Sequence, residues 1–188
     1  MRFLLLAVSV AFAAVAPAAD IAPACSKALR RALGSKAAWT MERRFPGSVR
    51  TLVSTGSVEC TVGEKIVWQT LHPFPFKVSM TTNSMIFADE DAVRVKPLSD
   101  MPHYNEIRRR ADAFARGDIR AFDGLFKLKT RSSPGGVWHL ELTPEISVMR
   151  RLFSTLTLTG RDTLTSVVLT SEDGGCSTIS FKELPRDR

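Results

Sequence analysis

Apolar and polar residues alternate with a period of two along most of the chain. Between Trp39 and Phe45, for example, Met41 falls on the same side as both aromatic residues, and Glu42 falls on the other side. Because successive side chains of a strand point to opposite faces, this period predicts β-structure. The same alternation returns in the runs Leu52–Val62, Lys65–Leu71, Phe76–Met80, Met85–Phe87, Ala92–Val95, Phe126–Thr130, Trp138–Leu142, Leu152–Leu158, Leu164–Thr170 and Cys176–Phe181. Short strands at this regular spacing, separated by turn residues, predict one large antiparallel sheet.

Three segments have the helical period instead. The first runs from Pro23 to Leu33, and Gly34 ends it. The segment His103–Arg116 places Ile107, Ala111 and Phe114 at i, i+4 and i+7, and Asp118 can cap a short helix to Leu125. The sequence therefore predicts an α+β fold. Three short helices are a small cover for the apolar face of such a sheet, so the sheet either curls over itself or keeps a cavity.

The N-terminus predicts export. A short cationic start, Met1-Arg2, precedes the apolar run Phe3–Val15, and Ala16-Pro17-Ala18 has the small-x-small pattern of a cleavage site. The apolar run is shorter than the ~20 residues that span a bilayer. We therefore expect a signal peptide over residues 1–18 and a single domain over residues 19–188, soluble and outside the cytoplasm. A retained anchor and lipidation of Cys25 are the less favoured alternatives.

The net charge of the chain limits the kinds of partner that it is expected to bind. The 188 residues include 26 Lys and Arg against 19 Asp and Glu, a formal net charge of +7. A basic surface favours anionic partners such as phospholipid headgroups or acidic proteins. Export and the lack of interleaved basic and aromatic residues argue against nucleic acid.

The sequence contains few residues or motifs that could form a metal site or a catalytic site. Three Cys and three His are too few for a zinc or haem framework, and in an oxidising compartment two of Cys25, Cys60 and Cys176 can pair. The chain has no Gly-x-Ser-x-Gly, no His-Glu-x-x-His and no Gly-rich phosphate loop. We therefore expect a protein that is not an enzyme, with no catalytic residue, metal or cofactor.

Several segments, taken in order, resemble a known family. They are Trp39–Phe45, Ser54–Val58 leading to Ile66–Trp68 and Pro73, Arg116–Asp118 followed by Phe126–Leu128, Trp138–Pro144, and Val168–Phe181. Together they cover nearly all of the expected mature chain. Their order and composition resemble the periplasmic outer-membrane lipoprotein carriers, the LolA-like family.

The resemblance implies a half-open barrel whose concave apolar face is covered by helices. In that family the cavity takes the acyl chains of lipoproteins, which a monomeric carrier receives from an inner-membrane exporter and delivers to an outer-membrane acceptor. This sequence departs from the family pattern before Trp68, where Lys65 is the only cation and an Arg is usual. Because Lys lacks the bidentate fork of Arg, other lipid-like cargo is also implied for a divergent member.

The apolar positions of these segments give the candidate cavity residues. They are Trp68, Phe76, Val78, Met80, Phe87, Ile107, Ala111, Phe114, Phe122, Leu125, Trp138, Leu140 and Leu142. Arg108, Arg109 and Arg110 are candidates for binding a partner or headgroups, and a solvated helix face is the alternative interpretation. The alternative for the whole protein is a periplasmic noncatalytic scaffold that carries no cargo.

Overall fold

The computed structural model describes residues 27–28, 31, 36–61, 65–100, 109–110, 113, 121, 123–151 and 153–183. Most of them form β-strands. The strands are β1 (Lys36–Arg44), β2 (Thr51–Thr61), β3 (Lys65–His72), β4 (Phe76–Met80), β5 (Ser84–Ala88), β6 (Val93–Pro97), β7 (Phe126–Ser133), β8 (Val137–Pro144), β9 (Thr155–Gly160), β10 (Leu164–Thr170) and β11 (Cys176–Glu183). One short helix, α1 (Ser147–Arg150), and two 3₁₀ turns at Leu98–Asp100 and Pro134–Gly136 complete these elements.

All eleven strands belong to one antiparallel sheet in the order β6-β5-β4-β3-β2-β1-β11-β10-β9-β8-β7. The first strand pairs with the last, so the two meanders β1–β6 and β7–β11 join in the middle of the sheet. Among the described strands, β6 and β7 are the edges and do not pair with each other. The predicted α+β fold with a large, half-open antiparallel sheet is confirmed.

Two glycines of the sheet lie beside register shifts. Gly56 in β2 follows a register shift against β3, and Gly160 ends β9 beside a register shift against β10. A Cβ at Gly56 would lie 2.5 Å from Cζ2 of Trp39, and one at Gly160 would lie 2.8 Å from Cε2 of Trp138. Bulges and glycines are the devices that curve a sheet, and here each glycine has an indole lying against it.

The two faces of the sheet differ in chemistry. One row of directly paired residues on the outer face runs Thr40, Ser180, Ser166 and Thr159 across β1, β11, β10 and β9. The next row on the inner face reads Met41, Ile179, Val167, Leu158 and Leu140, and all five are buried. Hydroxyls that face water and hydrocarbon that faces inward make this a sheet with one buried face.

The predicted helices lie mostly outside the described residues. Residues 27–28 and 31 are helical, and Ala28 is fully buried in the core, in accord with a helix that packs on the sheet. Residues 109–110 and 113 are helical as well. The helix predicted over Asp118–Leu125 differs at its end, because residues 123–125 form a turn in which Gly124 has a φ of 79°.

One strand begins later than the alternation predicts. The run Leu152–Leu158 was expected to be extended from its start, whereas β9 begins at Thr155. The helix α1 precedes it, and the backbone N–H of Phe153 donates to the carbonyl of Met149. The Phe153 side chain then fills the core, stacked on Phe126 with a centroid distance of 6.1 Å. The predicted signal peptide, residues 1–18, lies outside the described residues.

Candidate functional site

The inner face of β3, β4 and β5 brings together five of the predicted cavity residues. Trp68 is directly paired with Val78, and Val78 with Phe87, so these three form one row across the sheet. Met80 and Phe76 lie on the same face, two positions along β4 from Val78. Cross-strand neighbours on one face are close enough for side-chain contact, so these five residues share one apolar face of the sheet.

This surface consists of a packed part and a half-buried rim. Val78 and Met80 are buried together with Met85 and Leu98 in a small cluster. Phe76 and Phe87 pack against that cluster and remain half-buried. The next residue in the row beyond Phe87 is Arg94 on the edge strand β6. The apolar inner face therefore ends at a cation.

Trp68 also forms an aromatic pair that the candidate set did not include. Its ring stacks on that of Trp39, with centroids 4.4 Å apart and an interplanar angle of 19°. The two residues come from β3 and β1, and Gly56 of the intervening β2 is the direct partner of Trp39. A side chain at position 56 would occupy the space that the Trp39 ring fills, so the glycine permits the stack.

The two indoles of this pair are unusual in their hydrogen bonding. Trp39 is 2% exposed and Trp68 is 4% exposed. Within the part of the chain that the structure describes, Nε1 of Trp39 and Nε1 of Trp68 are the buried side-chain N or O atoms without a hydrogen-bond partner. Buried polar groups in native proteins are nearly always paired, so two unpaired donors on adjacent rings are a feature of this face.

The second group of predicted cavity residues lies on β8. Trp138, Leu140 and Leu142 alternate along the inner face and are at most 1% exposed. Nε1 of Trp138 donates to the carbonyl of Arg161 over 2.9 Å. Leu125 is half-buried and packs against the same large cluster, which also contains Trp68. Trp68 thus shares one cluster with the β8 residues, whereas Val78 and Met80 belong to the separate small cluster.

The remaining candidates are only partly described. Ile107, Ala111, Phe114, Phe122 and Arg108 lie outside the described residues. Arg109 is exposed. Arg110 is half-buried, and its Nη1 donates to the carbonyls of Ala121 and Asp123 over 3.0 and 3.2 Å. Arg110 thereby joins its helical segment to the turn that precedes β7.

Two carboxylates among the described residues, Asp89 and Asp173, lie between strands and have a lowered pKa. In the β5–β6 turn, Oδ1 of Asp89 accepts from the backbone N–H of Ala92 over 2.8 Å, and Oδ2 pairs with Nη2 of Arg94 over 2.8 Å. These contacts lower the pKa of Asp89 below its ordinary value of 3.8. Hydrogen bonds from Ser171 and from the backbone of Gly175 lower the pKa of Asp173 in the same way.

Among the described residues, no group of three or more His, Cys, Asp or Glu is placed to hold a metal ion. Nor does any helix of these residues have the length and apolar character needed to cross a membrane.

Trp39, Gly56 and Gly160 are the residues that the candidate set missed. Glycine inside an otherwise regular strand marks a bulge or the close approach of another group, and that signal was available at both positions. The partners of the glycines were not available, because alternation places a residue on a face without fixing the register between strands.

The geometry defines a class of protein, a half-open antiparallel barrel with an apolar inner face. Comparison with known proteins gives no match to any family model and none to any curated protein. Among solved structures, the chain is similar to a LolA superfamily protein from Nitrosomonas europaea, with 12% identity and a TM-score of 0.40 over 88% of this chain and 94% of that one.

Two further structures are similar to this chain. The lipoprotein LppX from Mycobacterium tuberculosis has 12% identity and a TM-score of 0.47, with 89% of this chain and 97% of that one covered. The MucA/MucB complex from Pseudomonas aeruginosa has 14% identity and a TM-score of 0.43, with 87% of this chain and 56% of that one covered. Function is inferred from this chain's own residues, because likeness at this level concerns the fold alone.

Proposed function

We propose that this protein is a noncatalytic periplasmic carrier that binds acyl chains of lipoproteins, or other lipid-like cargo, on the inner face of its half-open barrel. It takes the cargo from an exporter in the inner membrane and passes it to an acceptor in the outer membrane. The observation that supports the proposal is the half-buried apolar rim of Phe76 and Phe87 beside the buried cluster of Val78 and Met80.

The energetics of a carrier require such a surface. Each CH₂ group removed from water contributes about 0.8 kcal/mol, so one long acyl chain contributes on the order of 10 kcal/mol. A protein that holds an acyl chain in water therefore needs a continuous apolar surface. The methionines Met80 and Met85 suit varied chains, because an unbranched thioether side chain adapts its shape to its neighbours.

The carrier proposal is tested by matched variants on one strand. Phe87 and Ile86 are adjacent in β5, both half-buried, and they lie on opposite faces because side chains alternate along a strand. A carboxylate placed at Phe87 would have to be desolvated by a bound acyl chain. We therefore expect Phe87→Asp to weaken binding of a fluorescent C16 fatty acid at least tenfold, and Ile86→Asp to leave it unchanged.

Two results would count against the carrier. One is equal probe binding by wild type and Phe87→Asp, with both proteins folded by circular dichroism. The other is a protein that, exported and purified without detergent, yields no acyl-bearing molecule by mass spectrometry of its organic extract. That second result would favour the scaffold, whose inner face is filled by its own side chains, as on β8.

A further inference from the structure

The indole N–H groups of Trp39 and Trp68 are both buried, and neither donates a hydrogen bond to another group of the protein. A buried N–H group without a partner in the protein retains the cost of leaving water, and this pair has two such groups. The third tryptophan shows that the same face can satisfy an indole, because Trp138 donates to the carbonyl of Arg161. The unpaired donors are thus specific to the Trp39–Trp68 stack.

The surroundings of the pair define which acceptor fits. The buried cluster that contains Trp39 and Trp68 consists of hydrophobic residues, among them Ala37, Val58 and Cys60. Across the described residues, Ser54 is the buried polar residue. An ionised carboxylate would be buried here beside apolar side chains, at a high desolvation cost. A neutral carbonyl oxygen has a much smaller desolvation cost, and it accepts hydrogen bonds from indoles.

We propose that the N–H groups of Trp39 and Trp68 bind the ester carbonyl oxygens of an acylated ligand, so that the preferred cargo is a neutral acyl ester. This inference rests on the carrier function proposed above and specifies its ligand. The two rings are stacked with their centroids 4.4 Å apart, so both donors belong to one aromatic pair. Because both rings are buried, the ester linkage is held inside the apolar interior together with its chains.

The test compares two probes that differ only in the carbonyl. Monopalmitoylglycerol carries an ester, and hexadecylglycerol carries an ether with an alkyl chain of the same carbon number. The full mature chain is labelled with ¹⁵N-tryptophan, and its three indole resonances are followed as each probe is added. We expect the Trp39 and Trp68 indole protons to move downfield with the ester and to move little with the ether. The Trp138 resonance serves as the internal control and stays in place with both.

Affinity gives a second measurement on the same samples. One added hydrogen bond makes the ester bind about fivefold more tightly than the ether. Trp39→Phe and Trp68→Phe remove the donors and should bring the ester-to-ether ratio toward one, while Trp138→Phe should leave the ratio unchanged. The wild-type spectra test the inference even where a Phe variant fails to fold.

The outcomes separate this inference from the proposed function. Equal affinity for the two probes without a selective shift at Trp39 and Trp68 overturns the inference and leaves the carrier function standing. Failure of both probes to bind overturns both. Tighter binding of the ester, with the shift confined to these two indoles, supports the inference.

Discussion

At the scale of single residues, two glycines are required by their neighbours. Gly56 is directly paired with Trp39, and Gly160 is directly paired with Trp138. The two pairs lie in different meanders of the sheet, and in both the indole occupies the space of the missing side chain. The arrangement of a glycine opposite a tryptophan therefore occurs twice in the sheet, once in each meander.

Replacing either glycine with alanine should destabilise the fold. A methyl group at Gly56 would overlap the Trp39 ring and the backbone carbonyl of Gln69, and a rigid backbone atom cannot move aside cheaply. Overpacking of this kind costs about 3 kcal/mol at the upper end of its usual range. Thermal and chemical unfolding of Gly56→Ala and Gly160→Ala would measure this loss in the free energy of unfolding.

The control for this prediction is Ser57→Ala. Ser57 is the next residue in β2, so its side chain lies on the opposite face of the sheet, and its truncation should change stability by no more than about 0.5 kcal/mol. A Gly56→Ala protein as stable as Ser57→Ala would show that the indole and the neighbouring backbone rearrange freely.

At the scale of elements, the hairpin of β5 and β6 depends on one carboxylate. Asp89 accepts hydrogen bonds from the backbone N–H groups of Asp91 and Ala92 and pairs with the Arg94 guanidinium. Because these contacts lower the pKa of Asp89 in the folded protein, its ionised form stabilises the hairpin above the ordinary pKa of 3.8. That contribution is lost as the pH falls through the lowered folded-state pKa.

We therefore expect the β5–β6 hairpin to open more readily in acid. Hydrogen exchange of its backbone amides should show protection that declines below about pH 3.8 in wild type, after correction for the intrinsic exchange rate. Asp89→Asn should lower the protection at neutral pH and remove most of this pH dependence. Glu90→Gln, an exposed neighbour in the same turn, should behave as wild type. Identical profiles for Asp89→Asn and wild type would exclude a role for the carboxylate.

At the scale of the whole molecule, the register decides which cysteines can meet. Cys176 is opposite Arg44, which is opposite Thr51, whereas Cys60 is nine residues further along β2. Nine strand residues span about 30 Å, and disulfides join Cα atoms within about 7 Å. A bridge between Cys60 and Cys176 is therefore incompatible with the fold, and any disulfide within one chain includes Cys25.

Peptide mapping of the exported protein under non-reducing conditions tests this statement. We expect no linked peptide that joins Cys60 to Cys176 in the monomer, and we expect Cys25→Ser to abolish every bridge within the chain. Detection of a Cys60–Cys176 peptide in the folded monomer would contradict the β1–β2 and β1–β11 registers.

The sequence predicted the positions of the strands better than the contacts between them. Period-two alternation located the strands, because the side chains that face the core must be apolar whatever strands lie beside them. Trp68 and Phe87 were placed on the apolar face for the same reason. The stack on Trp39 was not predictable, because it depends on the pairing of three strands and on a glycine in the middle one. The helix α1 was missed because its four residues, Ser147–Arg150, are too few to show a helical period. The start of β9 was placed too early because Leu152–Leu158 has the composition of a strand throughout.

Among the described strands, β6 and β7 form the two edges of the sheet, and both carry exposed lysines. Lys96 lies on β6, and Lys127 and Lys129 lie on β7, with all three exposed to water. Unpaired strand borders invite other chains to extend a sheet, and lysines there oppose such growth by mutual repulsion. We therefore expect the incomplete barrel to resist edge-to-edge association at high concentration, and we expect this protection to weaken as added salt screens the ammonium groups.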